Sequence, residues 1–251
     1  MYTLAKNAQN ANGLRVSDKY QFISTEQVHA VLNDFGFQES RYREGRNVTG
    51  YQRHLSIFNR AQDVDEQGGF NLLLLNSHDG TSSLRLEAGY FRMLCENQLG
   101  HGDVGVRVSH RGNALEKLEL AIPQVLIQME DFKRIKDLLR GKVLSREQIL
   151  DFALKALATR VDLSTLDEYQ TSMNLHLILR SRRYADGGDG AWEVYNRVQE
   201  NVIKGGIPLI TNTGTLEFPK DTKRKIRGIT GIDKLVQTNK TLTQAITQVA
   251  A

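Results

Sequence analysis

The densest apolar run in the chain is Phe70-Asn71-Leu72-Leu73-Leu74-Leu75, and it stops sharply at Asn76. A run this short suits a strand covered on both faces better than a helix. Ser77, His78, Asp79 and Gly80 follow, all turn formers, and Gly80 supplies the positive φ that a tight turn often needs. From there Leu84, Ala88, Phe91 and Cys95, with Leu94 and Leu99 nearby, fall at helical spacing up to Gly100. The spacing predicts an amphipathic helix with Arg85 and Arg92, seven residues apart, on or near one outer face.

Upstream, Ser24-Thr25-Glu26-Gln27 reads as a capping box that opens a helix with Val28, Val31, Leu32 and Phe35 inward, and Gly36 ends it. Residues 37–43 and 51–59 read as strands joined by a glycine-containing turn. Helix, three strands and helix, in that order, suit an antiparallel meander with helices on one face. Val104, Val106 and Val108 alternate as a further strand would.

The later chain is helical in pattern. Residues 113–141 form one stretch, which Pro123 is expected to split or kink because it lacks the N–H. Ser145-Arg146-Glu147-Gln148 opens another helix, reaching to about Arg160, and a further one covers much of 166–183. The helix over 191–204 carries a stripe at Ala191, Tyr195, Val198 and Val202. Residues 207–229, with Pro208, Gly214 and Pro219, read as a mobile hairpin or extended loop before a last helix over 233–249. The expected class is α+β, with a three- to five-stranded antiparallel meander and a mainly helical C-terminal half. Its parts are a flexible arm (1–16), an α/β core (17–112), a helical part packed on the core (113–206), and a basic loop or hairpin with the terminal helix (207–251).

Composition narrows the function classes. At 251 residues the chain is long enough to bury a core without staples. One cysteine, Cys95, excludes an internal disulfide framework, and its place on an apolar stripe suits a buried thiol. No apolar stretch is long enough to cross a bilayer, and the start MYTLAKNAQNANG lacks a secretory hydrophobic region, so a cytoplasmic location away from membranes is expected.

Net charge is only +4, but its distribution is uneven. Arg41, Arg43, Arg46, Arg53 and Arg60 face Glu44 alone within 41–60, and Lys220, Lys223, Arg224, Lys225 and Arg227 face Asp221 alone within 220–227. Two such islands suit phosphate contacts, with a solvated basic face as the plain alternative.

Candidate chemistry is sparse. His54, His78, Asp79, Cys95, His101 and His110 are metal-ligand types, but their spacing matches no metal signature. His78-Asp79 reads as a stabilised turn rather than a base and its orienter, because adjacent side chains rarely face each other. There is no Gly-rich phosphate loop ending in Lys-Ser/Thr and no Gly-x-Gly-x-x-Gly, so no catalytic residue and no cofactor is expected. What remains is binding. Arg41, Arg43, Arg46 and Arg53 on a hairpin would follow a sugar-phosphate backbone, and Tyr42 and Tyr51 offer stacking faces unless they are ordinary sheet residues. The Lys220 to Arg227 island would close over the bound strand.

Arg53-His54, the turn Asn76-Ser77-His78-Asp79-Gly80-Thr81-Ser82, Phe91-Arg92-Met93-Leu94-Cys95-Glu96-Asn97, and Trp192-Glu193-Val194-Tyr195-Asn196 through Glu200 resemble the landmarks of a phage and plasmid family known as domain of unknown function nine-three-two. The resemblance runs from about Gln21 to the C-terminus, and Gln98 stands where that family usually has glycine. It implies a phage, prophage or plasmid origin and brings no activity with it. More distantly, a helix ending in Phe35-Gly36-Phe37, then three strands and a helix, is similar to the core of Rad-fifty-two and Red-beta type single-strand annealing proteins. That likeness implies ATP-independent pairing of single strands held in a basic groove of a ring or filament.

The expectation is therefore a single-stranded DNA-binding protein of a mobile element that forms homo-oligomers. Its phosphate contacts would come from Arg41, Arg43, Arg46 and Arg53, with Arg85, Arg92, Lys220, Lys223, Arg224, Lys225 and Arg227 as secondary candidates, while Asn76, His78 and Asp79 shape the turn. The alternatives are a counter-defence protein that binds a bacterial host protein, and a metal-dependent nucleotide-acting enzyme using His54, His78 and Asp79.

Overall fold

The computed structural model describes residues 4–10, 14, 16–44, 49–64, 68–92, 98–99, 105–212 and 221–251. The chain divides into two compact units, Met1–Leu94 with Gly102–Phe132, and Cys95–His101 with Lys133–Ala251.

In the first unit, α1 (Thr25–Asp34) starts at the expected capping box: Ser24 Oγ accepts from Gln27 N, and the Gln27 side chain accepts from Ser24 N. Thr25, Val28 and Leu32 are its buried face, and Gly36, at φ +81°, turns the chain into the sheet. The strands β1 (Gln38–Glu44), β2 (His54–Val64), β3 (Gly68–Asn76) and β4 (Leu84–Arg92) form an antiparallel meander in sequence order. After the two-residue strand β5 (Gln98–Leu99), which falls in the second unit, β6 (Gly105–Val108) pairs antiparallel with β4. The α+β class, the meander and the doubly covered Phe70 to Leu75 strand are as expected, since Phe70 and Leu72 to Leu75 are all buried.

Three expectations are corrected. The helix predicted from Leu84 is the strand β4, so the order is helix and four strands, not helix, three strands and helix. Leu84, Leu86 and Ala88 also alternate with period two and are all buried, and a strand there supplies the hydrogen-bond partners that β3 needs on its second side. The N-terminal segment is not loose throughout: the 3-10 turn Ala5–Asn7 buries Ala5, and Lys6 N donates to Tyr42 Oη. Pro123 does not break α2 (Ala114–Arg140), which runs unbroken for 27 residues. Pro123 and Glu119, one turn before it, are both exposed, so the carbonyl that loses its donor faces water rather than a core.

The second unit packs α3 (Arg146–Ala158), α4 (Glu168–Ile178), α5 (Ala191–Lys204) and α6 (Ile232–Ala250) with the hairpin β7 (Pro208–Asn212) and β8 (Asp221–Lys225). Helix α5 is its centre, buried on nearly every side. Its polar residues are therefore internal. Glu200 takes Arg183 at 3.0 and 3.2 Å and Lys204 at 2.9 Å, and these hydrogen bonds hold its carboxyl below the usual range although burial pushes the other way. Gln199 donates to Tyr195 Oη and Asn239, and Tyr195 Oη bonds Thr243. Asn174 makes a reciprocal pair of 2.9 Å bonds with Ile210 N and O, so a side-chain amide completes the edge of the hairpin.

Candidate functional site

Residues directly opposite in an antiparallel ladder share a face, so the register shows which distant residues meet. One cross-strand row is Arg43, Leu55, Leu75, Arg85 and Arg107, and the next is Arg41, Ile57, Leu73, Glu87 and Gly105. Arginines thus stand at both flanks of one face, with buried leucines between them. Arg41, Arg43 and Arg107 are exposed, and Arg85 is half-buried with Glu87 at 3.7 Å.

The other sequence candidates are placed as follows. Arg60 is held by Asp63 at 2.5 Å and lies over the Phe37 ring. Arg53 is half-buried just before β2, and Arg92 ends β4 opposite Gly68. Arg46, Lys220 and Cys95 lie outside the described residues. Lys223 and Arg224 pair with Ile210 and Leu209 in the hairpin, while Lys225 and Arg227 are exposed. Tyr42 is half-buried, with Lys6 Nζ 4.7 Å from its ring centre and its hydroxyl donating to Glu44 at 2.8 Å. Tyr51 is half-buried, and its carbonyl accepts from His78 N at 2.9 Å.

The opposite face of the sheet carries a buried polar cluster at the ends of β2 and β3. Thr25, the first residue of α1, has its Oγ1 2.8 Å from His54 Nε2 and 3.1 Å from His78 Nε2, and the two rings are 5.1 Å apart. All three residues are fully buried. His54 Nδ1 is 3.1 Å from Gln52 O, which only accepts, so Nδ1 carries the proton. Nε2 then accepts from the Thr25 hydroxyl, and Thr25 in turn accepts from His78 Nε2. Burial lowers both imidazoles, His54 below its ordinary value despite its Gln52 bond, and His78 down to about 3 with the neighbouring histidines adding to the effect. Both are neutral at physiological pH.

His110, just after β6, bonds Asn76 Oδ1 at 3.0 Å and stacks on Tyr20 at 5.1 Å. The Asp79 to Ser82 turn is closed by Asp79 Oδ1 accepting from Thr81 N and Oγ1 and by Ser77 Oγ accepting from Ser82 N, with Gly80 at φ +75°. A cavity of about 400 Å³ beside this turn is lined by Tyr20, Asp79, Ser82, Ser83, His110 and Arg111.

Among the described residues no group of three or more histidines, cysteines or acids is arranged to hold a metal. In the cluster, Nε2 of both His54 and His78 is already engaged by Thr25. No helix among the described residues is long and apolar enough to cross a membrane. Sequence reasoning missed Thr25 and Arg107. Thr25 was visible only as part of a cap, and Arg107 joins Arg43 and Arg85 only through strand register.

Fold and site together define a two-unit α+β protein with an arginine-flanked antiparallel sheet and a neutral histidine cluster beneath it. The chain belongs to the family described as Domain of unknown function (DUF932), whose profile matches residues 14–245, as its landmark residues implied. It is 30% identical over 226 residues to the UPF0380 protein YfjQ of Escherichia coli K12, covering 87% of this chain and 79% of that protein. Its likeness to the UPF0380 protein YafZ of the same strain is 30% over 227 residues, with the same coverage. No solved structure matches the chain. The helix, three-strand, helix order behind the likeness to annealing proteins is not the order observed.

Proposed function

We propose that this protein binds single-stranded DNA along the arginine-bearing flanks of its sheet and brings complementary strands together without a nucleotide cofactor. The observation that carries this reading is the strand register that sets Arg43, Arg85 and Arg107 in one row and Arg41 in the next. Arg41 and Arg43 project from the same side of an edge strand, roughly 7 Å apart, a step suited to successive phosphates of an extended strand. Leu55 and Leu75 are buried, so contact falls on the flanks rather than on the middle of the face.

The test is fluorescence polarisation of a labelled oligonucleotide with the full chain over a salt series. Binding should weaken linearly in log–log form, with a slope of about 0.7 per phosphate neutralised. Arg43→Glu and Arg107→Glu should each lower affinity for all sequences alike and reduce that slope. No retention of DNA at low salt, with one host protein captured in stoichiometric amount, would replace this reading with the protein-binding one.

A further inference from the structure

Within the second unit, a cavity of about 790 Å³ opens between α3, α4 and the loop that precedes α5. Its volume lies in the range of small-molecule sites. Ile149, Leu150, Leu166, Leu175 and Leu179 give it an apolar wall. Arg197, which projects from α5, also lines it and is only 7% exposed.

The surroundings of Arg197 are unusual for a buried cation. Its Nη1 donates to the carbonyls of Asp186 and Gly188 at 3.1 and 2.5 Å, which fixes the guanidinium in place. Its Nε is buried and has no hydrogen-bond partner. Among the described residues the one carboxylate within 4 Å is Asp189, which stands 3.8 Å from Nη2 and whose side chain is 70% exposed, while Asp186 and Glu193 act on the guanidinium from further off. Burying a cation is costly unless a counter-ion is held close with good hydrogen bonds, and a solvated aspartate beyond hydrogen-bond distance supplies little of this.

We infer that this cavity is a binding site for a small monocarboxylate with an apolar body, whose carboxylate takes the place of Asp189 on Arg197 while the body lies against Leu166, Leu175 and Leu179. A planar carboxylate matches the guanidinium fork. Asp167, Glu168 and Asp189 outnumber Arg146 and Arg197 among the lining charges, which disfavours ligands of higher negative charge and separates a monocarboxylate from a phosphorylated ligand. This site is independent of the nucleic-acid reading, because every residue in it lies within 146–197 of the second unit.

The test is calorimetric titration of the full chain with naphthalene-2-carboxylate and with its neutral amide. The carboxylate should bind one per chain, and the amide about tenfold more weakly, as expected from loss of one charge-assisted hydrogen-bond pair. Asp189→Asn removes the competing carboxylate from an exposed position, so it should tighten carboxylate binding and leave the amide unchanged. Leu175→Trp, at a half-buried position, should abolish binding of both while the protein melts as before, and Leu179→Gln serves if that variant does not fold. Equal binding of acid and amide, an Asp189→Asn protein that binds the acid no better, or no heat up to about 5 mM ligand, weaker than any specific site, would each overturn the inference.

Discussion

Arg85 and Arg107 stand directly opposite each other on β4 and β6. Like charges so placed disfavour folding by about 0.2–1 kcal/mol, which Glu87, 3.7 Å from Arg85, offsets in part. Arg107→Glu should therefore stabilise the free protein by a similar amount while weakening its hold on DNA. Thermal melts in low salt and oligonucleotide titrations on the same preparation check the two opposite effects, and a loss in both would mean that the pair is needed for the fold.

Thr25 ties His54 and His78 together through a single hydroxyl. Thr25→Val keeps the shape but leaves one imidazole acceptor and one donor buried without partners, at roughly 1–3 kcal/mol each. Urea unfolding should show a loss of about 2–6 kcal/mol, whereas Thr25→Ser should cost under about 1 kcal/mol. A near-neutral valine variant would show that the hydroxyl is not what joins the two rings.

The same cluster sets an acid limit. His54, His78 and His110 all have folded values below the ordinary histidine range, because burial disfavours their charged forms. As pH falls through the ordinary value of about 6.5 the unfolded chain takes up protons that the folded one refuses, so stability is full above that point and declines below it. Each histidine contributes a slope of up to about 1.4 kcal/mol per pH unit, continuing for His78 to about pH 3. Urea midpoints measured from pH 8 to 4 should fall from about pH 6.5 downward, and His78→Gln should flatten that fall.

Gly205 joins α5 to the hairpin at φ +63°. A Cβ there would lie 2.4 Å from Ile226 O, and that backbone is itself bound by Gly206 N at 2.7 Å. Gly205→Ala should cost more than about 3 kcal/mol, while Gly231→Ala, with nothing within 4 Å of its new methyl, should be tolerated. Comparing the two variants by chemical denaturation separates backbone contact from helix propensity.

Much of this architecture could be read in the chain. The capping boxes at Ser24 and Ser145 placed two helix starts to the residue, because that motif encodes its own hydrogen bonds. Leu72 to Leu75 announced a central strand. β4 was misread because Leu84, Ala88 and Phe91 satisfy a helical period while Leu84, Leu86 and Ala88 satisfy a strand period, and only the unpaired side of β3 decides between them. Polar residues of α5, such as Gln199 and Asn201, look like a wet face in sequence but are internal, their partners lying 40 positions away in one case. The histidine cluster was hidden for the same reason: His54, His78 and Thr25 come from three separate stretches, and no spacing links them.

The outermost strand, β1, reads Gln-Glu-Ser-Arg-Tyr-Arg-Glu, without one aliphatic side chain, and its ladder is interrupted between Glu39 and Arg41. Charge and irregularity of this kind repel strand addition by a second copy. Any ring or filament of these molecules would thus have to be stitched together through surfaces other than a continuous intermolecular sheet.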